Sequence, residues 1–301
     1  MKMTKLIANA LLLVVAVLWG SGFVATKFAL DANVPAGFIN FFRGLIFAFF
    51  IFLFFYKKIC KMNLKEFKVG LVVGLLNFGG YITQTVGIKY TTPSNSAFIT
   101  AAYVAIVPII AWGIYRKKIE IKSWISIAFC LLGMAILTGV INKGLTINVG
   151  DIYSLVCALF CAGCIVYLSY GAKVVDVSII SFMMAMVQAI GGLIFCLVSE
   201  RAQFVYIDWS SAIVPLLYMG IMCSFVAQTI QVLAQKHTSA TSAALILMLE
   251  ALFGSVFSIA FGFEVFTVKL ILGGILVMFS LILMEIKLQP LSAKAHSNFK
   301  G

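Results

Sequence analysis

The amino-acid sequence predicts an all-α polytopic membrane protein with ten transmembrane helices in two inverted five-helix repeats. Hydrophobic residues make up 63% of the 301 residues and charged residues 11%, whereas soluble domains are about one quarter charged. Between Leu6 and Ile286 the chain returns about ten times to near-continuous apolar sequence. Each run approaches the roughly 20 residues that cross a bilayer as a helix. Five spans per half is an odd number, so two copies of such a unit would lie in opposite orientations.

The first half contains five apolar runs bounded by charged or turn-forming residues. The first run follows Lys5 and continues without a small-residue cleavage site, which favours a retained helix over a signal peptide. The second ends at a basic cluster that begins at Lys57, and the third ends near Gln84. The fourth opens near Thr92, and a basic cluster from Arg116 precedes the fifth. These spans cover about residues 6–29, 36–56, 69–89, 94–115 and 121–141.

The second half repeats this pattern after a moderately polar segment at residues 142–150. The eighth span ends with Gln228 and Gln231 in its last turns, and the ninth opens near Thr238. Residues 288–301 form a polar tail that we expect to be disordered in the cytoplasm. The five spans cover about residues 150–171, 178–198, 211–234, 239–262 and 267–287.

A faint internal repeat supports two related units. Thr92-Thr-Pro-Ser-Asn-Ser-Ala-Phe-Ile opens span four, and Thr238-Ser-Ala-Thr-Ser-Ala-Ala-Leu-Ile opens span nine. Gln84-Thr85 precedes the first motif much as Gln228-Thr229 precedes the second. Short helix hairpins favour Ser, Thr and Asn as caps, so capping alone is the alternative explanation. Inverted repeats are a common architecture of secondary transporters, whose site lies near the midplane. The predicted units cover residues 6–141 and 150–287.

The positive charge predicts orientation and gives no indication of a nucleic-acid partner. The formal net charge is +12, and sixteen of the 22 basic residues fall on the N-terminal side of the predicted membrane, with five on the other. The positive-inside rule then predicts a cytoplasmic (inner) membrane protein with both termini in the cytoplasm. Anionic membrane lipid is the expected partner of these charges.

Glu250 is the most informative polar residue. It lies eleven residues into span nine, roughly 16 Å deep at 1.5 Å per residue, which is near the midplane. A charge at that depth costs about 2.5–3.5 kcal/mol, so it needs a partner or a role. The functional interpretation is a proton-coupling site or a counter-charge for a cationic substrate group. The structural interpretation is a bridge to another helix, and the sequence leaves both open.

Arg43 is the second charge inside a predicted span. It lies about 10 Å from the outer end of span two, where an arginine side chain can partly reach water. The sequence therefore favours a structural role for it.

Seven residues form the predicted substrate-binding cavity, in which aromatic rings contact apolar parts of the substrate and amides orient its polar groups. Glu250 would carry the charge. For any single amide, helix–helix hydrogen bonding is the more common role. The seven are Trp19, Tyr81, Gln84, Tyr103, Tyr167, Gln228 and Glu250.

The cysteines and the absence of catalytic motifs argue against an enzyme or a metal centre. Cys157, Cys161 and Cys164 share one helical face, which could hold a soft metal, but packing of small residues in span six is the favoured interpretation. The sequence has no phosphate-binding loop of the GxxxxGK[ST] type, no HExxH and no GxSxG. We therefore expect no cofactor, no metal and no enzymatic activity.

Several segments resemble the EamA-type permeases of the drug/metabolite transporter superfamily. Trp19-Gly-Ser-Gly-Phe-Val-Ala-Thr-Lys-Phe-Ala-Leu30 is similar to the first helix of that family, and Asn40-Phe-Phe-Arg43 to its arginine-bearing second helix. Residues 94–108 resemble its fourth helix. Glu250, followed by Phe253-Gly254 and Gly262-Phe-Glu264, resembles its ninth, although Ala251 stands where the family commonly has proline.

The resemblance covers residues 6–287 and implies ten helices in two inverted repeats, with a central cavity drawn from helices 1, 3, 4, 6, 8 and 9. It also implies movement of amino acids, other metabolites or toxic compounds across the cytoplasmic membrane, often as export. We expect a secondary transporter of a small metabolite, with an amino acid as the leading substrate, alternating access as the mechanism and protons as a candidate coupling ion. The alternatives are a multidrug or lipid mover with a lateral opening, and a non-transporting membrane scaffold.

Overall fold

The structure is a computed structural model that describes residues 3–116, 121–138 and 148–285. Within those ranges the chain is helical apart from short turns. Eight helices are long and apolar enough to cross a membrane, which confirms a multi-pass membrane protein. They are α1 (Lys5–Asp31), α2 (Ala36–Ile59), α3 (Leu64–Tyr90), α4 (Pro93–Ile114), α6 (Val149–Val174), α7 (Val177–Ser199), α8 (Trp209–Gln235) and α9 (Ala240–Ala260).

Two further helices, α5 (Ile121–Thr138) and α10 (Val268–Glu285), pack against each other. Their described apolar stretches, 124–133 and 271–280, are shorter than a full span. The count of ten spans therefore remains a prediction. The predicted tail at 288–301 lies outside the described residues.

Polar caps set the starts of α3 and α6, so the helices extend beyond the apolar runs. The Asn63 side chain accepts a hydrogen bond from the Glu66 backbone N–H, and the Glu66 carboxylate accepts one from the Asn63 N–H. Asn148 and Asp151 form the same reciprocal pair. Such capping boxes satisfy two backbone donors that the first helical turn leaves free. Because of the Asn63 cap, α3 begins at Leu64, five residues before the predicted span at 69–89.

The packing in the two halves corresponds helix by helix. Helix α1 packs on α8 and α9 as α6 packs on α3 and α4, and α2 packs on α8 as α7 packs on α3. The remaining large contacts pair α2 with α7 and α5 with α10. Helices α4 and α9 are also interrupted alike, by one tighter turn at Ala101–Ala102 and at Met248. This correspondence is the pattern that two related five-helix units would produce.

Helices α2 and α7 are joined along their length. Glycines at their interface let the two backbones approach closely, as small residues do between membrane helices. The Glu200 carboxylate, just after α7, accepts hydrogen bonds from the Ala36 N–H (3.2 Å) and the Gly37 N–H (2.7 Å) at the start of α2. At the other end, Lys58 forms an ion pair with Asp176 at 2.8 Å. Although partial burial opposes it, hydrogen bonds from Lys58 and Ser178 hold the pKa of Asp176 below its ordinary value.

Replacing Gly44 by alanine is expected to destabilise the protein. A methyl group at Gly44 would lie 2.8 Å from the Ala189 Cα of α7, so the two backbones would have to separate. We expect a loss of about 1–3 kcal/mol, the usual cost of overpacking, seen as a lower unfolding temperature in detergent.

Gly113→Ala is the matched control. Among the described residues, nothing lies within 4 Å of a methyl group at Gly113, and alanine is the better helix former by about 0.5–1 kcal/mol. An equal or higher unfolding temperature is therefore expected for this variant. Equal losses in the two variants would contradict the close approach of α2 and α7.

Helix α8 contains a π-helical segment at Met219–Val226. Such segments are rare and are frequently found at functional sites. The Trp19 indole N–H of α1 donates to the Cys223 carbonyl in this segment at 3.0 Å. The Thr26 hydroxyl, two turns further along α1, donates to the Met219 sulfur at 3.2 Å. The segment is thus fixed against the face of α1 that carries Trp19.

Candidate functional site

A cavity lies among α1, α2, α3, α4, α6, α8 and α9, and it is the candidate functional site. The empty space within it amounts to about 660 Å³, including its opening, which is in the range of small-molecule sites. Eighteen residues line it: Trp19, Gly22, Phe23, Thr26, Arg43, Leu76, Asn77, Gly80, Tyr81, Gln84, Tyr103, Cys157, Cys161, Cys164, Ile165, Cys223, Gln231 and Glu250.

Two opposite charges line the described part of this cavity. Glu250 of α9 is 4% exposed and Arg43 of α2 is 3% exposed. Across the described ranges, no carboxylate lies within 4.0 Å of Arg43 and no cation within 4.0 Å of Glu250. Each charge therefore faces the cavity without an ionic partner, an arrangement that is costly unless a ligand, water or a proton compensates it.

Arg43 is held in place by a hydroxyl and an aromatic ring. Its Nε donates to the Ser224 Oγ of the π-helical segment at 3.0 Å. Its guanidinium carbon lies 4.4 Å from the centre of the Tyr81 ring, within the range of a cation–π interaction. The expectation that Arg43 reaches toward water is wrong for this residue, because its side chain turns inward to these partners.

Glu250 lies beside Tyr103, and both residues occupy equivalent places in α4 and α9. Tyr103 follows the tight turn at Ala101–Ala102, and Glu250 follows the one at Met248. The Tyr103 hydroxyl interacts with the Glu250 carboxyl, yet it makes no hydrogen bond of regular length and angle within the described protein. The Tyr103 hydroxyl and the Glu250 carboxyl can therefore form further hydrogen bonds with a molecule in the cavity.

Tyr81 connects the two charges. Its ring packs edge-to-face on Trp19, with centroids 6.4 Å apart, and it lies under the Arg43 guanidinium. Tyr81 shares the cavity lining with both Arg43 and Glu250. An aromatic wall between two charges can contact the apolar part of a substrate whose ends are charged.

A chain of buried amides crosses four helices and begins at Asn77 in the cavity lining. Asn77 of α3 donates to Gln228 of α8 at 3.1 Å, and Gln228 donates to Gln188 of α7 at 3.4 Å. Gln188 then donates to Asn40 of α2 at 3.3 Å. Asn40 donates back to α3, to the Thr85 hydroxyl at 3.1 Å. Because these amides hydrogen-bond to one another, the chain joins the four helices and fixes the cavity wall.

The structure brings five of the seven predicted cavity residues into the lining and leaves two outside it. The five are Trp19, Tyr81, Gln84, Tyr103 and Glu250. Gln228 is fully buried within the amide chain, and its neighbour one turn on, Gln231, lines the cavity. Tyr167 contacts the Tyr170 ring, with centroids 5.8 Å apart, and packs on a separate apolar cluster.

Sequence reasoning missed several lining residues. The depth of Arg43 favours a structural role, and the structure places it in the cavity lining, as an arginine within a predicted span can also indicate. Asn77 and Gln231 are polar, and no feature of the sequence separates them from the other amides. Cys157 and Cys161 were treated as packing residues, although both line the cavity.

The cavity can hold a small polar molecule that bears both charges. Arg43 offers guanidinium donors, Glu250 and Tyr103 offer oxygen atoms, and Trp19 and Tyr81 supply aromatic surface. In the described ranges, no three His, Cys, Asp or Glu side chains come together as a metal site.

Comparisons with known proteins find similarity over most of the chain. The sequence profile of the EamA-like transporter family matches the chain twice, at residues 6–139 and 148–286. The chain is 32% identical over 288 residues to an uncharacterized transporter of Archaeoglobus fulgidus, covering 94% of this chain and 87% of that protein. A solved crystal structure with 14% sequence identity superposes with a TM-score of 0.71 and covers 92% of this chain and 96% of that one, which supports the fold. The family match and the Archaeoglobus fulgidus relative point to a membrane transporter rather than an enzyme.

Proposed function

The chain belongs to the EamA-like transporter family, and from this membership we propose that it is a secondary transporter of a small zwitterionic metabolite, an amino acid or a related compound. Membership already makes the protein a multi-pass membrane transporter of a small molecule. The proposal adds the charge type of the substrate, the residues that bind it and the mechanism of transport.

The observation that carries the proposal is the pair of unpaired opposite charges in one cavity. Arg43 can bind a carboxylate through two N–H groups, as arginine does in many sites. Glu250, with the Tyr103 hydroxyl beside it, can accept hydrogen bonds from an ammonium group. A zwitterion supplies one counter-charge to each residue, so its binding compensates both buried charges at once.

The rest of the lining fits a substrate of this kind. Trp19, Tyr81 and Phe23 provide aromatic surface for a side chain, while Gln84 and Gln231 provide hydrogen-bonding groups. A multidrug or lipid mover would favour a lining of Phe and Met, and the described lining contains one phenylalanine and no methionine. We therefore favour a polar metabolite over that alternative.

We further propose ten spans in two inverted repeats, alternating access between the halves, and a cytoplasmic membrane location with both termini in the cytoplasm. The two profile matches and the corresponding contacts of the two halves support the repeat. The excess of basic residues on the N-terminal side supports the orientation. Rocking of repeat units around a midplane site is the usual mechanism of transporters built in this way.

Glu250 is also the proposed site of proton coupling. A carboxyl group near the midplane that faces both a cavity and a tyrosine hydroxyl can take up a proton from one side and release it to the other. Proton and ammonium would then compete for the same carboxylate, which is a simple route to exchange of substrate for protons.

Transport by the purified full-length chain in lipid vesicles tests the substrate class. An amino-acid panel should reveal a substrate whose transport exceeds that of its N-acetyl derivative and of its decarboxylated amine by tenfold or more. The tenfold ratio corresponds to about 1.4 kcal/mol, a modest share of one buried charge interaction. Equal transport of the amine and the amino acid, or transport of uncharged compounds only, would contradict the proposal.

A further inference from the structure

We propose that Cys157 and Cys161 form a dithiol site in the cavity wall that binds thiophilic ligands requiring two sulfur atoms, specifically monosubstituted trivalent arsenicals. The two residues lie one turn apart on α6, and their sulfur atoms are 3.7 Å apart. Both thiols are free, and both residues line the cavity.

The spacing of the sulfur atoms suits a shared ligand. Residues four apart on a helix lie on one face, with Cβ atoms roughly 5–6 Å apart, so the side chains of Cys157 and Cys161 converge. With metal–sulfur bonds of about 2.3 Å, as for zinc thiolates, two sulfurs 3.7 Å apart subtend an angle of roughly 107° at the bound atom. An atom that forms two sulfur bonds at such an angle can bridge the pair without movement of the helix.

A second observation is a buried tyrosine hydroxyl in the same cavity wall that can form a further hydrogen bond. The Tyr103 side chain is 2% exposed and lines the cavity, and beyond its interaction with Glu250 its hydroxyl makes no hydrogen bond of regular length and angle in the described protein. Tyr103 lines the same cavity as Cys157, Cys161 and Glu250. The dithiol is therefore part of a wall that presents polar groups to an occupant, with Cys161 partly exposed and Cys157 buried beside it.

A two-sulfur site matches an arsenical better than a metal ion. In the described ranges no third His, Cys, Asp or Glu joins the pair in a metal-binding group, and Zn²⁺ requires three or four such ligands. A monosubstituted trivalent arsenical has one carbon substituent and needs only two thiols. With phenylarsine oxide, two thiols give two S–As bonds, and the arsenic-bound oxygen leaves as water with both thiol protons. No atom changes its oxidation state.

Occupancy of this site should obstruct the cavity. Cys157 and Cys161 share the lining with Glu250 and Tyr103, so a phenyl-bearing ligand there would occupy the space assigned above to the zwitterion. This consequence rests on the proposed function, whereas the binding itself does not.

Binding is tested with phenylarsine oxide on the reduced, full-length protein in detergent. Intact mass should show one phenylarsenic group per chain with loss of one water. Two of the seven thiols should stop reacting with maleimide, and 2,3-dimercaptopropanol should release the group while a monothiol does not. Absence of a two-thiol adduct in the wild-type protein would overturn the proposal.

Single variants separate this pair from the other thiols. Cys157→Ser and Cys161→Ser should each weaken binding at least tenfold, and the double variant should be no weaker than either, because a chelate needs both sulfurs. Cys164→Ser is the matched control on the same helix and the same cavity wall, and it should bind normally. Alanine versions of the two variants serve if serine disturbs folding. Equal loss in Cys164→Ser, or full binding by the double variant, would refute the site.

Transport in vesicles distinguishes the failure of this inference from that of the proposed function. Phenylarsine oxide should block amino-acid transport by the wild-type protein and spare the Cys157→Ser variant. Stoichiometric binding without any amino-acid transport would leave the dithiol site intact and would reject the proposed function. Transport that persists in the wild-type protein carrying the adduct would show that the ligand lies outside the substrate path, against the placement inferred here.

Discussion

Glu250→Gln is expected to lower transport of the amino-acid substrate by roughly 30-fold or more. Removing one partner of a buried charge interaction costs about 2–5 kcal/mol, and each 1.4 kcal/mol is a factor of ten. Glutamine keeps the size and one acceptor oxygen of the side chain but cannot pair with an ammonium group as an anion does. Initial rates in lipid vesicles, at substrate concentrations well below saturation, measure the change.

The stability of this variant separates a substrate contact from a structural bridge. No cation lies within 4.0 Å of Glu250 in the described ranges, so neutralising the side chain should leave the unfolding temperature unchanged or raise it. A structural ion pair would instead make the variant less stable by about 3–5 kcal/mol. Glu250→Asp, which keeps the charge, should retain more transport than Glu250→Gln. A stable Glu250→Gln protein with wild-type rates would contradict the assignment.

The same variant tests proton coupling. If the Glu250 carboxyl carries the exchanged proton, transport by the wild-type protein should depend on pH, and a pH gradient should drive it. Glu250→Gln should flatten the pH profile and remove the response to the gradient, while substrate exchange without a gradient continues at its reduced rate. An unchanged pH profile would assign coupling to another group.

Arg43→Gln is the second change with a large expected effect. It removes the cation proposed to bind the carboxylate of the substrate, and it also removes the contact with the Tyr81 ring. We expect at least a 30-fold loss of amino-acid transport, on the same 2–5 kcal/mol scale. The ratio of amino-acid transport to decarboxylated-amine transport should fall toward one, because the amine has no carboxylate to bind Arg43.

Arg43→Lys is the informative companion variant. Lysine keeps the charge but loses the planar donor fork and the stacking on an aromatic ring, so an intermediate loss is expected. The ratio of amino acid to amine is the decisive readout, because a merely misfolded protein would lose both activities together. An Arg43→Gln protein that still prefers the amino acid tenfold would exclude the assigned role.

Much of the fold was accessible from the sequence because lipid restricts the choices. A backbone in hydrocarbon must satisfy its hydrogen bonds within a helix, so long apolar runs could be assigned as helices with their approximate bounds. The polar first turn of α3 was missed, because Asn63 and Glu66 set its start through capping and not through hydrophobicity.

The direction in which a side chain faces was harder to predict than its depth. A membrane helix is apolar around its whole circumference, so periodicity does not reveal its inner face. The depth of Arg43 suggests a side chain that reaches outward to water. Its position around the α2 axis instead directs the side chain toward Ser224 and Tyr81. The same uncertainty placed Tyr167 in the predicted cavity, although the cavity-facing side of α6 is the one that carries Cys157, Cys161 and Cys164.

The sequence predicts that Gln228 lines the cavity, whereas the structure has Gln231 in the lining. This difference has a specific cause in α8. The π-helical segment at Met219–Val226 precedes both residues. Because a π turn holds more residues than an α turn, it rotates everything after it relative to an ideal helix. No residue type in that segment predicts a π-helical turn, so the change in register cannot be recognised from the sequence. A sequence read with α-helical spacing throughout therefore cannot decide which amide of α8 reaches the cavity.

The attachment of α2 to α7 at three places has a mechanical consequence. The capping of Ala36 and Gly37 by Glu200, the Lys58–Asp176 pair and the Asn40–Gln188 hydrogen bond fasten these two helices at top, bottom and middle. One of the two helices belongs to each profile match, so these contacts hold the two halves together. We expect the α2–α7 interface to stay intact during any reorientation of the halves. The remaining helices would tilt about this interface.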